Sequence, residues 1–365
     1  MQKPTIHIVQ KMAPGGIELL VRRLADECRE PVYIFSLETP EIQKTASNNG
    51  ETSLHQNLLD GNFYSFDKKG GLDPALIFRL RKKLKELAPN LVVTHHIGPL
   101  LYGTTAARLA RVPIVAHIEH DAWHLDDSRQ RFLTVMTCQL TKPHLMAVSR
   151  SVAKKVSEIT GNKEIAVIPN GVDTSKFIPR SSEDARSKFG LPKNMVVIGG
   201  VGRLENVKGF DILIKALGYL PEKVCIAVAG DGTQKRELKQ LTIDEGLEDR
   251  VYFLGNLSEI ETLYPAFDVF ALPSRNEGLP LSIIEAQSAS IPVVATDVGA
   301  NCDGLCNETG RLVPPDNPEA LADALTECLA NPSSISPRQF VEREFSWKTT
   351  LNAYEKLSNG VEYGA

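Results

Sequence analysis

Along this 365-residue chain, short runs of consecutive Val, Ile and Leu alternate with longer segments in which apolar positions recur every three or four residues. The short runs read as strands over 5–10, 32–36, 91–94, 114–117, 145–148 and 165–168, then 196–201, 224–229, 251–254, 269–272 and 292–295. Most are continuous rather than alternating, as expected of parallel strands covered on both faces. The longer segments predict helices over 18–29, 75–87, 149–159, 209–217, 281–288 and 318–329. Strict alternation of the two element types implies doubly wound α/β sheets. Pro, Ser, Lys and Asp cluster over 173–192, between six strands and five. The expected architecture is two Rossmann-like domains facing a central cleft, the first over 1–173 and the second over 174–345.

Composition narrows the class. With 42% hydrophobic and 24% charged residues the chain reads as soluble and globular, and no apolar run approaches the ~20 residues of a membrane helix. The opening residues read as a first strand and not as a cleavable signal. Six scattered cysteines, of which only Cys302 and Cys306 are close, suit reduced thiols in the cytoplasm and offer no zinc site. Charge is uneven: residues 1–165 carry 22 Lys/Arg against 17 Asp/Glu, and the rest 19 against 28. The acidic balance and the lack of any nucleic-acid module argue against a nucleic-acid partner.

In doubly wound sheets ligands sit at the carboxyl ends of strands, so the loops there are the candidates for chemistry. Ala13-Pro14-Gly15-Gly16 ends the first strand and precedes a helix, where free N–H groups attract anions, although it is not a dinucleotide fingerprint. Gly202-Arg203 and Lys208-Gly209 place two cations between a strand and a helix, a pairing suited to a diphosphate. Ser274 through Leu279 follows another strand; Gly278 and Leu279 offer N–H groups, Glu277 can accept from sugar hydroxyls, and Glu285 on the next helix can hold a ribose diol. The spacing of that pair means little alone, since Glu30/Glu38, Glu237/Glu245 and Glu319/Glu327 share it. His117, Glu119, His120 and Asp121 follow a first-half strand, with His95 and His96 closing the one before. Imidazole beside carboxylate suits acid–base work or a sugar contact. The helix over 75–87, with Arg79, Arg81, Lys82, Lys83 and Lys85, suits an anionic membrane surface or simply a solvated outer layer.

Taken in order, Ile168-Pro169-Asn170-Gly171-Val172-Asp173, Gly202-Arg203, Lys208-Gly209, Gly230-Asp231-Gly232, Phe253-Leu254-Gly255, Glu277-Gly278-Leu279-Pro280, Glu285-Ala286 and Gly310-Arg311-Leu312-Val313-Pro314-Pro315 resemble glycosyltransferase family 4 (group 1), a family of retaining GT-B enzymes. Gly15-Gly16-x-Glu18 and His120-Asp121 are similar to the family's two first-domain motifs. The resemblance implies that Arg203 and Lys208 clamp the donor diphosphate, Glu277 binds the sugar, Glu285 holds ribose, Gly16 contacts phosphate, and His120 lies near the reacting face. Asp231, Ser274, Gly202 and Gly15 join the donor site. It further implies a last helix, about 346–365, crossing back to the first domain, and no cofactor or metal. Ala300, Cys302 and Asp303 depart from the family pattern, which leaves sugar and nucleotide preference open.

A retaining transfer from a nucleotide-diphosphate sugar, uridine first among the bases, to a glycan or lipid-linked acceptor of cell-surface polysaccharide, lipopolysaccharide or glycolipid is therefore expected. The setting would be cytoplasmic, at the inner face of the membrane if the acceptor is lipid-linked. A sugar-nucleotide 2-epimerase and a non-catalytic nucleotide-sugar-binding protein are the alternatives.

Overall fold

The computed structural model describes residues 3–12, 15–40, 61–331 and 333–360. Ala13 and Pro14 of the first glycine loop lie outside them, as do 361–365 at the end of the expected last helix. The chain forms two compact units, Met1–Ile168 with Thr350–Ala365, and Pro169–Thr349.

The first unit is built on seven parallel strands: β1 (Thr5–Val9), β2 (Val32–Ser36), β3 (Phe63–Ser65), β4 (Leu91–His95), β5 (Ile114–Glu119), β6 (His144–Ala147) and β7 (Ala166–Val167). Their spatial order is β3-β2-β1-β4-β5-β6-β7. The second has six: β8 (Val196–Val201), β9 (Val224–Ala229), β10 (Val251–Gly255), β11 (Val269–Leu272), β12 (Val293–Thr296) and β13 (Arg311–Val313), ordered β10-β9-β8-β11-β12-β13. All the pairings are parallel. Central strands β1, β4, β9 and β11 are buried along their whole length, which is why they read as unbroken apolar runs.

The split into six and five strands was short by one in each sheet. Both missing strands, β3 and β13, are three-residue edge strands with partly exposed side chains. Each has a neighbouring strand on one side only and is three residues long, too short for the apolar run that marks an inner strand.

Helices follow their local signals. Asp73 caps Pro74–Leu87, accepting from Leu76 N with Pro74 at the first turn. Ser149 caps Arg150–Thr160, which ends at left-handed Gly161. Leu76, Leu80 and Leu84 turn the apolar stripe of Pro74–Leu87 into the core with Ile6, Ile8 and Val92. In the second unit the two faces of the sheet carry separate cores, one around Leu213, Ile226 and Leu325, the other around Tyr264, Phe267 and Phe270. The two segments that pass between units are joined there: Val172 N donates to Phe345 O and Trp347 N to Val172 O.

Candidate functional site

In the second sheet the chain winds outward one way from β8 to β9 and β10, and the other way from β11 to β12 and β13. That reversal opens a crevice at the carboxyl ends of β8 and β11, where doubly wound folds take their ligands. The loop after β8 carries Gly202, Arg203 and Lys208; the loop after β11 carries Ser274, Glu277, Gly278 and Leu279. The backbone stitches them together. Arg275 N donates to Val207 O at 2.8 Å, and the Arg275 guanidinium forks onto Asp211 at 2.9 and 2.7 Å. Leu204 N donates to Asp231 O, which joins the loop after β9.

Within this frame Lys208 Nζ lies 2.6 Å from Glu277 Oε1, and Ser274 Oγ donates to the same oxygen at 2.6 Å. Among the described residues Glu277 Oε2 takes no hydrogen bond, and the N–H groups of Gly278 and Leu279 donate to nothing. Arg203 is exposed and makes no side-chain hydrogen bond among the described residues. Gly299 holds the loop from behind. Its φ is +53°, and a Cβ there would lie 1.8 Å from Glu277 O, so only glycine fits. The arrangement offers two cations, two unused donors and one unused carboxylate oxygen at a helix entrance, the elements that bind an anion joined to a polyol.

Glu285, on the Leu281–Ser288 helix, accepts from Tyr264 Oη at 2.5 Å. Burial pushes its carboxyl up to about 7, the Tyr264 hydrogen bond pulls it down, and the charge on Glu261 adds to the rise. Tyr264 is fully buried, and its phenol is driven well above its ordinary range by that burial and by Glu285. Asp231 stays in its own turn: Oδ1 accepts from Gly232 N and Oδ2 pairs with Lys235, whose hydrogen bond lowers its carboxyl.

The first sheet reverses between β1 and β4. Gly15 is the extended cap of the Gly16–Glu27 helix after β1, and Gly16 is exposed. A Cβ on Gly15 would meet Glu18 Oε2 at 2.4 Å, so that carboxylate already lies over the loop. After β4 come His96 and Gly98; after β5 comes His120, 5% exposed, with Nε2 at 2.8 Å from His95 Nδ1. His117 Nε2 and His124 Nε2 both face Glu119 Oε2, at 3.4 and 3.5 Å. Burial lowers both His96 and His120, with neighbouring histidines adding to the effect on His120.

Of the expected residues, Lys208, Ser274 and Glu277 touch one another, and Gly278 and Leu279 share their loop. Gly15, Gly16 and His120 belong to the first unit. The sequence pattern gave no role to Tyr264 or Arg275, and marked His96 only as closing a strand. His96 has φ +69° and ψ 166° and a buried Nδ1 without a partner. That backbone region is nearly restricted to glycine, and a non-glycine residue there costs about 1–3 kcal/mol. The doubled histidine at a strand end was the only sequence sign of it.

Residues 14–176 match the family described as Glycosyltransferase Family 4, and residues 181–347 the one described as Glycosyl transferases group 1. The chain belongs to the group 1 glycosyltransferases. EpsF of Bacillus subtilis (strain 168), itself named as a glycosyltransferase, is 27% identical over 310 residues, 81% of this chain and 79% of that protein. The Escherichia coli UDP-Gal:alpha-D-GlcNAc-diphosphoundecaprenol alpha-1,3-galactosyltransferase is 32% identical over 246 residues, 63% of this chain and 64% of that protein. The crystal structure of Anabaena Alr3699/HepE in complex with UDP superposes with a TM-score of 0.85 at 22% identity, covering 99% of this chain and 100% of that one. At that identity the likeness establishes the fold, which is GT-B.

Proposed function

We propose that the protein is a retaining glycosyltransferase that takes a sugar from a uridine diphosphate sugar and passes it to a glycan or lipid-linked acceptor in cell-surface polysaccharide, lipopolysaccharide or glycolipid synthesis. The observation that carries this is the Lys208–Glu277–Ser274 cluster, with Glu277 Oε2 and the Gly278 and Leu279 N–H groups unused, at the reversal point of the second sheet. The E. coli relative's name joins a UDP-sugar to a lipid diphosphate, and the Anabaena structure holds UDP, which supports the same donor class here.

In this reading Arg203, Lys208 and the loop N–H groups take the charge that builds on the leaving diphosphate as the anomeric C–O bond breaks. Glu277 Oε2 accepts from sugar hydroxyls, Glu285 from the ribose, and Gly16 N–H meets phosphate. The acceptor oxygen bonds to the anomeric carbon on the face the phosphate leaves, and its proton passes to a phosphate oxygen. Configuration is retained, with no metal or cofactor assigned a role. Neutral His120 supplies a hydrogen bond near the reacting sugar. Residues 1–173, with the last helix, form the acceptor side and 174–345 the donor side.

For membrane contact the Pro74–Leu87 helix is the weaker of two candidate faces in the first unit: Leu76, Leu80 and Leu84 are buried, Arg79 pairs with Asp73 and Lys83 with Glu86. The Ser128–Thr141 helix instead exposes Phe132, Leu133, Met136 and Leu140 beside Arg129 and Arg131, a face suited to anionic lipid at the inner leaflet. No helix among the described residues is long and apolar enough to cross a membrane.

Incubation with a panel of nucleotide sugars tests the reading. Slow release of UDP and free sugar from one UDP-sugar is expected. Conversion to a second sugar nucleotide would point to an epimerase, and tight binding with no turnover to a binding protein. Either result would overturn the proposal.

A further inference from the structure

Three loops at the carboxyl edge of the first sheet converge on one side-chain amide. Gln10 follows β1, Glu38 follows β2, and Gly98 lies in the short Ile97–Pro99 helix after β4. Gln10 Nε2 donates to Glu38 Oε1, and Glu38 N donates to Gln10 O at 2.9 Å, so side chain and backbone both tie the first two loops. On its other side the amide lies against Gly98, where a Cβ would sit 1.9 Å from Gln10 Oε1 and 3.0 Å from Cδ. The amide therefore lies across the reversal between β1 and β4, where a doubly wound sheet takes ligands.

Holding the amide fixes what it offers. Because Nε2 faces a carboxylate, Oε1 faces Gly98. Among the described residues Gln10 Oε1 and Glu38 Oε2 take no hydrogen bond, one Nε2 hydrogen is unspent, and Glu38 has no cation at ion-pair distance. Both side chains are half-buried. One donor and two acceptors side by side suit neighbouring hydroxyls, each of which can donate and accept. The uncompensated carboxylate repels a phosphate or a sugar acid at the same place. A second sign of a ligand stands in this turn. His96, two residues before Gly98, has φ +69° and a buried Nδ1 without a partner, and backbone outliers of that kind cluster at ligand sites.

We propose that Gln10 and Glu38 are the specificity-determining pair of the acceptor subsite, reading two neighbouring hydroxyls of an uncharged sugar and excluding sugars that carry a carboxylate there. Donor hydroxyls have Glu277 in the other unit, so the sugar read here is the acceptor's. That assignment rests on the glycosyl-transfer reading; recognition of a neutral sugar by the pair does not.

Proton–nitrogen spectra of the 15N-glutamine-labelled protein follow the Gln10 side-chain amide, with Gln10→Ala assigning its signals. The probes are p-nitrophenyl glycosides of glucose, galactose, mannose and N-acetylglucosamine, and p-nitrophenyl glucuronide. The Gln10 signals should shift with at least one neutral glycoside and not with the glucuronide, and Glu38→Gln should admit the glucuronide. With the bound glycoside as acceptor, Gln10→Ala and Gly98→Ala should each raise acceptor KM about 3–10-fold, the loss of a neutral hydrogen bond, with donor KM within about twofold. Alanine at 98 acts by displacing the Gln10 amide, so the double variant should lose no more than either single one. Unmoved Gln10 signals with every neutral glycoside, equal binding of the glucuronide, or additive losses in the double variant would overturn the proposal. If Gly98→Ala does not fold, the wild-type and Glu38→Gln spectra decide alone. Gln10 shifts without sugar transfer would sink the transferase reading and leave the sugar-binding pair standing.

Discussion

Replacing Glu285 with Gln keeps the side chain's shape and removes its charge. The carboxyl is raised from 4.5 to about 7, chiefly by burial. Between those values the native state holds a proton that the unfolded chain has released. The unfolded state therefore binds fewer protons, and this group's contribution to stability falls as pH rises through the window. Above about pH 7 the full penalty applies, roughly 3 kcal/mol from the shift. Glu285 keeps some exposed surface, so about 2 kcal/mol is the working figure. Gln carries no such penalty and can still accept from Tyr264. Glu285→Gln should thus be about 2 kcal/mol more stable than wild type at pH 8, a rise of roughly 4–8 °C in melting temperature, and equal to it at pH 4. Calorimetry at pH 8 should show UDP bound about 10–100-fold more weakly, the loss of a charged hydrogen bond. Wild-type affinity should also decline as pH falls through 7, while the variant's stays flat. A Gln variant less stable than wild type at pH 8, or one that binds UDP unchanged, would refute the reasoning.

His96→Gly relieves the backbone strain at φ +69° and removes the unpartnered Nδ1, so it should melt no lower than wild type while transfer slows at least tenfold; a loss of both in parallel would mark His96 as purely structural. The protein should float with anionic vesicles at low salt and detach at high salt, and Phe132→Ser with Leu140→Ser should abolish flotation where Lys82→Ala with Lys85→Ala does not. Equal flotation by both double variants would remove the lipid-facing role of the Ser128–Thr141 helix. Activity should survive excess EDTA, because no three His, Cys, Asp or Glu side chains among the described residues are grouped to hold a metal ion; complete loss with rescue by one divalent ion would contradict this.

The inner strands were legible because burial on both faces forces continuous apolar runs, as in Val224–Ala229. The edge strands Phe63–Ser65 and Arg311–Val313 are three residues long with a neighbour on one side only, and left no such trace. Lys208, Ser274 and Glu277 could be nominated since each ends a strand–glycine-loop junction. Their mutual contact was not readable, because 69 positions separate Lys208 from Glu277 and only the parallel pairing of β8 with β11 brings them together. Tyr264 and Arg275 escaped for a related reason. Each acts on a group supplied by another element, Glu285 in one case and Asp211 in the other, and neither carries a local pattern. The His7–His95 hydrogen bond shows the same limit: His7 looks like an ordinary strand residue until β4 is laid beside β1.

The central claim is that this chain breaks a uridine diphosphate sugar and delivers the sugar on the face the diphosphate leaves. Proton NMR during turnover, with the donor that the panel selects, follows UDP release and the anomeric signal of the first-formed product together. Consumption of an α-linked donor should yield an α-configured product before mutarotation, and Lys208→Ala should slow that signal by about 10²–10³. A β-configured first product, or donor consumption unaffected by loss of Lys208, would contradict the account.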